Sequence, residues 1–354
     1  MKQYNNLITF PETFSEIAMP KDSRSVTIFD VAEAAGVSVT TVSRVLNNRD
    51  YVSDQTFQRV QSVINELGYS SSLAARSMRS RKTNVIGLIM PDVGDSFSIQ
   101  VMKGINQAIV ELDYDLLIYT SGDIFRNRSS ITEQHYISLL NNSVTDGVIL
   151  VTPVSGNYKT VSPVVAIDPH VDNPSGPAVI STNFLGAVEA TQYLISLGHR
   201  RIGFIAGRPD LQSAHRRQEG FEYAIKEAGL DLDPQMLICG DFTTETAIKC
   251  ARNLLSLSDP PTAIFASNDA SAEGVITTAK SLGLSIPEDL SVIGFDNIPE
   301  SELLNLTTVD QNIIRMGYVG ACMLIDLIKG KELDEEVAKI KTKLILRDTC
   351  SSIR

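Results

Sequence analysis

From Val85 onward the chain alternates continuous apolar runs with amphipathic stretches at helical spacing. That alternation constrains the fold more than any other feature. The runs are VIGLIM, DLLIY, GVILV, VVAI, RIGFIA, MLICG, AIFAS and SVIGF, and candidate helices such as 98–112 and 183–197 stand between them. A strand that is apolar at every position is buried on both faces, and helices between successive strands impose parallel pairing. The strands are too numerous for one small sheet, so two similar α/β halves are expected.

Ligands of parallel α/β sheets bind beyond the carboxyl ends of the strands. Those ends read Pro91-Asp92, Ser121-Gly122-Asp123, Asp168, Gly207-Arg208, Ser267-Asn268-Asp269 and Asp296-Asn297. Asp92, Asp168, Asn268 and Asp296, with Phe97, Arg217 and Gln311, form the candidate lining of a cleft between the halves. Carboxylates and amides make paired hydrogen bonds to vicinal hydroxyls, and an aromatic ring covers the apolar face of a sugar. A phosphate-bearing ligand would need an Arg/Lys cluster or a glycine-rich loop, and neither stands out in the sequence. Other readings remain for single residues: Arg217 as a structural helix charge, Asp296 as a turn cap, Asp269 as the cap of a helix starting at Ala270.

The segment before Val85 has a different character. Net charge over the 354 residues is −11, yet between Pro20 and Asn84 nine Lys/Arg stand against six Asp/Glu. A basic head on an acidic body suggests that one segment meets a polyanion while the rest repels it. The stretch VTIFDVAEAAGVSVTTVSRVLNN predicts two short helices. Thr27 caps the first, Ile28, Val31, Ala32 and Ala35 share its inner face, and Gly36 stops it. Ser38 caps the second, with Val42, Val45 and Leu46 inward and Val39, Thr40, Ser43, Arg44 and Asn47 outward. A third helix follows, capped by Ser53, with Phe57, Val60, Ile64 and Leu67 at helical spacing and Gly68 as its stop. Helix, glycine turn, helix is the helix-turn-helix pattern, whose second helix reads base edges with short polar side chains and an arginine. A three-helix cap with a solvated face is the other reading.

The stretches VTIFDVAEAAGVSVTTVSRVLNN, YVSDQT, ELGY, AARSMR, IGLIMPD and GHRRIGFIAG together resemble the lactose/galactose repressor family (LacI/GalR) from about Val26 to Thr349. The resemblance implies an all-α helix-turn-helix headpiece and hinge, then a two-lobed, periplasmic-binding-protein-like α/β core with two parallel sheets. Residues 1–25 have no counterpart in it and are read as a disordered extension; the resemblance implies a DNA-binding domain over 26–70 and a hinge over 71–84. A first core subdomain follows over 85–180 plus 312–340, and a second over 181–311 plus 341–354. Met19 is an alternative start.

In such a hinge, Ala75 lets two copies approach, Arg76 and Arg79 hold phosphates, and Met78 wedges into the minor groove. The family commonly has leucine at that place, so methionine here implies a looser step preference; packing of Met78 on the core is the other reading. Arg217 in SAHRRQEGF, Asp296 in VIGFDN and Asn268 in SND take the places of effector-binding residues, and Asp168 and Gln311 fit more loosely.

The expectation is therefore a cytoplasmic, homodimeric, ligand-responsive repressor of carbohydrate-use genes. Its partners are a pseudo-palindromic double-stranded DNA operator and a sugar. Two alternatives stay open: a purine- or nucleoside-sensing regulator, and one controlled by a protein partner. No cofactor is expected. No catalytic motif is present, the four histidines lack metal-ligand spacing, and the four cysteines stand far apart, as reduced thiols do. No run of apolar residues matches a bilayer span, and the N-terminus lacks a signal-peptide pattern.

Overall fold

The computed structural model describes residues 26–46, 52–69, 82–120, 130–140, 144–171 and 174–353. It divides into two compact units, Met1–Ala75 and Arg76–Arg354. The expected extension over 1–25 and most of the expected hinge lie outside the described residues.

The first unit holds α1 (Ile28–Ala35), α2 (Val39–Leu46) and α3 (Asp54–Leu67). The Thr27 backbone N–H and hydroxyl both donate to the Asp30 carboxylate at 2.7 Å. Gly36 ends α1 at φ 62°, where a residue without Cβ is unstrained. Ser38 accepts from the Thr41 N–H at 3.1 Å, and Ser53 from the Thr56 N–H at 3.4 Å. Ile28, Val31, Ala32 and Ala35 pack on Val42, Val45, Val60 and Ile64. Leu67, expected inward, is 37% exposed, and Tyr69 beyond the helix stop packs on this cluster instead.

The second unit contains two six-stranded sheets. The first sheet takes β1 (Val85–Met90), β2 (Asp115–Thr120), β3 (Gly147–Val151), β4 (Val164–Ile167), β5 (Ala178–Ser181) and β11 (Val337–Ile340). Their order is β11-β5-β4-β3-β1-β2, with parallel pairing throughout. The second takes β6 (Ile202–Ala206), β7 (Leu237–Cys239), β8 (Ala263–Ala266), β9 (Ser291–Asp296), β10 (Thr307–Asp310) and β12 (Lys343–Ile345). Its order is β12-β10-β9-β8-β6-β7, and β12 runs antiparallel to β10. The central strands β1, β3, β6, β8 and β9 are buried along their whole length, as continuous apolar runs require. The edge strand β2 is half-exposed.

Helices α4 (Ser96–Leu112), α5 (Ser130–Leu139), α6 (Asn183–Ser196), α7 (Gln212–Glu227), α8 (Thr244–Leu255), α9 (Asp269–Ser281), α10 (Pro299–Leu303) and α11 (Ile313–Ile328) complete the unit. Helix α4 packs on α11 at very short range. A Cβ on Gly104 would stand 1.9 Å from the Ile314 carbonyl oxygen, and one on Gly317 would stand 2.1 Å from that of Val101. In the second sheet, Phe204, Phe265 and Phe295 pack under α6 and α7 against Phe221. Ile264 and Val292 face α8 and α9.

The chain passes between the sheets after β5, after β10 and after β11. These crossings are hydrogen-bonded to one another. The Ser181 hydroxyl donates to Gln311 Oε1 at 2.6 Å, and the Thr182 and Thr342 hydroxyls stand 2.9 Å apart. Among the described residues no helix is long and apolar enough to cross a membrane.

Candidate functional site

Helix α2 turns one side into the headpiece core through Val42 and Val45. The opposite side leaves Thr40 and Arg44 exposed and Val39 and Ser43 half-buried. Thr27 and Ser38 are exposed, and each is engaged at the start of its helix. The face therefore offers one guanidinium and short side chains, a set that fits a major groove. Asn47, Ala75, Arg76, Met78 and Arg79 lie outside the described residues.

The second candidate site is a cavity of about 260 Å³ between the two sheets of the core. Pro91, Phe97, Thr152 and Asp168 line it from the first half. Leu211, Ser213, Arg217, Asp241, Phe242, Asn268 and Asp296 line it from the second. Its centre is Arg217 on α7, only 3% exposed. A guanidinium that deep needs partners for its charge. Its Nε donates to Asn183 Oδ1 at 2.8 Å, and its Nη1 donates to the Ser267 carbonyl at 2.5 Å and to Asp296 Oδ1 at 3.2 Å. The Phe295 ring lies under it, 3.9 Å from the guanidinium carbon.

Two buried carboxyls, Asp168 and Asp296, lie close to Arg217, and a third, Asp269, lies close to Asp296. Burial pushes the Asp296 carboxyl up to about 7, against the lowering effects of Arg217 and of the Gln311 hydrogen bond. Burial also raises Asp168, which Arg217 and the Ser213 hydroxyl partly counter. Asp269 is raised by burial and by the neighbouring charge of Asp296. Asp168 and Asp296 end their strands in positive-φ conformations, φ 51° and 119°, which turn the backbone at the cavity wall.

Several expected residues have other employment. Asp92 does not line the cavity: its Oδ1 accepts from the Gly94 N–H at 2.8 Å and shapes the turn before α4. Gln311 is fully buried behind the cavity, where its Nε2 donates to Asp296 Oδ1 at 2.5 Å. That bond helps to position Asp296. Asp269 does not cap α9; Asn268 does, accepting from the Ser271 N–H at 2.9 Å. Asp269 instead accepts from the Ile298 N–H at 3.0 Å and from the Thr308 hydroxyl, tying down the loop after β9. The Asn268 amide donates to the Phe242 carbonyl at 3.0 Å, so both ends of that side chain serve the framework.

Asp241 and Phe242 are cavity residues that the sequence reading passed over. Burial would raise the Asp241 carboxyl, but hydrogen bonds from Thr243 and Thr246 outweigh it and hold the group low. Phe242 adopts φ 71°, and its ring lies on Gly207, where an added Cβ would stand 2.0 Å from the ring. Both residues follow the carboxyl end of β7, so the strand-end rule applied to MLICG would have found them. No cluster of His, Cys, Asp and Glu suited to a metal ion occurs among the described residues.

The chain is similar to known proteins along nearly its whole length. Residues 27–72 match the family model for bacterial regulatory proteins of the lacI family, and residues 191–350 match the periplasmic binding protein-like domain. The HTH-type transcriptional repressor PurR of Vibrio vulnificus is 34% identical over 341 residues, spanning 92% of this chain and 99% of that protein. The ribose operon repressor of Halalkalibacterium halodurans is 35% identical over 328 residues, spanning 91% and 96%. Both relatives are repressors by name. Among solved structures, a transcriptional regulator CelR–cellobiose complex superposes with a TM-score of 0.68 at 28% identity, covering 92% of this chain and 99% of that one. The lac repressor dimer bound to operator gives a TM-score of 0.80 at 24% identity over the same shares, which speaks for the fold alone. With the expected fold found and the identity to repressors sustained along nearly the whole chain, this protein belongs to the LacI family of bacterial transcription regulators.

Proposed function

We propose that the protein acts in the cytoplasm as a homodimer on a pseudo-palindromic DNA operator, and that a neutral sugar bound between the sheets switches its affinity for that operator. The genes it represses are then genes of carbohydrate use. The observation that carries this reading is the composition of the inter-sheet cavity. Arg217 and Asp296 reach it from one half, Phe97 and Asp168 from the other, so one ligand must touch both. The charged groups suit hydroxyls, and Phe97 and Phe242 offer ring faces to an apolar sugar edge. Nε and Nη1 of Arg217 are committed to the framework, which leaves Nη2 to meet a ligand. A ligand that touches both halves favours one relative orientation of them, and only such a difference biases a two-state switch. The ribose and cellobiose in the names of similar proteins support a sugar.

A purine or nucleoside is the second reading, because Phe97 and Phe242 both line the cavity and a flat base also stacks on such rings. A thermal-shift panel of sugars, purines and sugar phosphates separates the two. A sugar at a hundredfold excess over its Kd adds about 2.7 kcal/mol to stability. Arg217→Ala and Asp296→Ala each remove that gain. A response confined to purines, or a sugar response that survives both substitutions, overturns the reading.

A further inference from the structure

The fold brings two arginines to one cavity, a convergence that the sequence does not show. Arg208 and Arg217 both line the space between the sheets. Two guanidiniums would ordinarily suit a phosphate, so their partners decide what the cavity accepts. Arg217 is paired with the buried Asp296. Arg208 is paired with Asp210, and the local chain builds that pair. The Leu211 N–H donates to the Arg208 carbonyl at 3.1 Å and closes a β-turn over Arg208-Pro209-Asp210-Leu211. Proline at the second position presets the turn. The turn folds the Asp210 carboxylate back onto the guanidinium. Nε donates to Oδ1 at 3.0 Å and Nη2 to Oδ2 at 2.5 Å, a bidentate pair. His215 Nε2 stands 2.7 Å from the Pro209 carbonyl oxygen and ties the turn to α7.

The surroundings of this arginine are acidic. Among the described residues, four carboxyls line the cavity, Asp95, Asp168, Asp241 and Asp296, against the two arginines. Burial raises the Asp210 carboxyl, yet hydrogen bonds and charge from Arg208 outweigh it and hold the group low. Asp241 is held low against burial by Thr243 and Thr246, and the charge of Arg208 adds to their effect. Arg208 thus has two ionised carboxylates near it. A phosphate arriving at this arginine must displace the first and face the second. A hydroxyl meets both as acceptors.

We propose that Asp210 is a specificity-determining residue of the inter-sheet site: by filling the Arg208 fork it makes the cavity take an unphosphorylated ligand and refuse the phosphorylated form. The inference rests on the reading of this cavity as the effector site, but it holds for a sugar and for a nucleoside alike. The regulator then responds to the ligand as it stands before phosphoryl transfer, and a kinase-type reaction removes the signal.

The test uses the full-length protein and inorganic phosphate, read by phosphorus NMR relaxation at constant ionic strength. The Lys and Arg of the headpiece segment give every variant the same background, so variants are compared with one another. Asp210→Ala empties the fork and should bind phosphate roughly 10- to 100-fold more tightly than wild type, the range of one charge-assisted hydrogen bond. Amide exchange over 207–218 should slow with the same midpoint. Asp210→Asn keeps the side-chain shape, should show a smaller gain, and serves if the alanine variant folds poorly. Arg208→Ala added to Asp210→Ala should cancel the gain. Asp259→Ala removes the carboxylate partner of Arg201 outside the cavity and should leave exchange over 207–218 unchanged. The proposal is overturned if Asp210→Ala binds phosphate no better than wild type. A gain that survives the loss of Arg208, or that comes without slower exchange over 207–218, overturns it equally. No sugar or purine enters this test, so a failure of the effector reading shows separately, in the thermal-shift panel.

Discussion

Arg44 and Arg217 show how differently two arginines are spent. Arg44 is exposed on α2 with no role in the headpiece core, so its cost of removal falls on recognition. Arg44→Ala should lose about 1–3 kcal/mol on a selected operator and almost nothing on random DNA, measured by paired titrations; equal losses on both would refute base reading. Arg217 is buried against Asp296, and removing one partner of such a pair leaves an uncompensated charge, which costs about 3–5 kcal/mol. Denaturant melts of Arg217→Ala should show that loss without any ligand. Asp296 also sets a pH dependence. A carboxyl raised by burial holds more protons in the folded state than in the unfolded one. Its stabilising contribution is complete below the unfolded value, near ~3.9, and is lost as pH rises through about 7. Relative to wild type, Asp296→Asn should therefore gain stability between about pH 4.5 and about pH 8, and parallel stability curves would contradict this. At this scale the sequence was partly legible. The strand-end rule locates residues but not the direction of their side chains. Asp92 and Gln311 sit where the rule or the resemblance put them, yet a turn N–H claims one and Asp296 claims the other.

The elements were more legible than the site, because caps and periodicity are local. Thr27, Gly36, Ser53 and Gly68 bound helices where their chemistry says they should. The apolar runs all became strands, six of them inside their sheets and two, DLLIY and MLICG, at the edges as β2 and β7. The short strands β5, β10 and β11 escaped notice as runs, because four residues of mixed character such as TTVD or VAKI carry no period of their own. They become strands by pairing with neighbours already in place. The close contact of α4 and α11 was equally hidden, since a glycine in a helix reads as a weakness until its partner backbone is seen. Gly317→Ala should cost about 1–3 kcal/mol through overpacking. Gly176→Ala, where an added Cβ meets nothing within 4 Å, should be nearly neutral. Equal melting of the two variants would show that the helices part without strain.

At the scale of the molecule, the charge asymmetry and the three crossings matter most. The basic segment around the headpiece meets DNA while the acidic core is repelled by it, so operator affinity should fall steeply between about 50 and about 200 mM salt. Weak salt dependence would mean that few phosphates are neutralised. The crossings have another consequence, one of timing. The first sheet begins at Val85 but takes its last strand from Val337–Ile340, and α4 waits for α11. A ribosome adding about 5–20 residues per second delivers those pieces roughly 10–30 s after β5 has emerged. Through that interval the nascent first half keeps an open sheet edge beside β5 and a bare seam along Val101 and Gly104 of α4. Both are surfaces on which chains stick to one another. A chain released before Ile313 should therefore be captured by chaperones or aggregate, whereas one released after Ile345 should not, in a cell-free translation followed by sedimentation. The protein must be nearly finished before its first half can close.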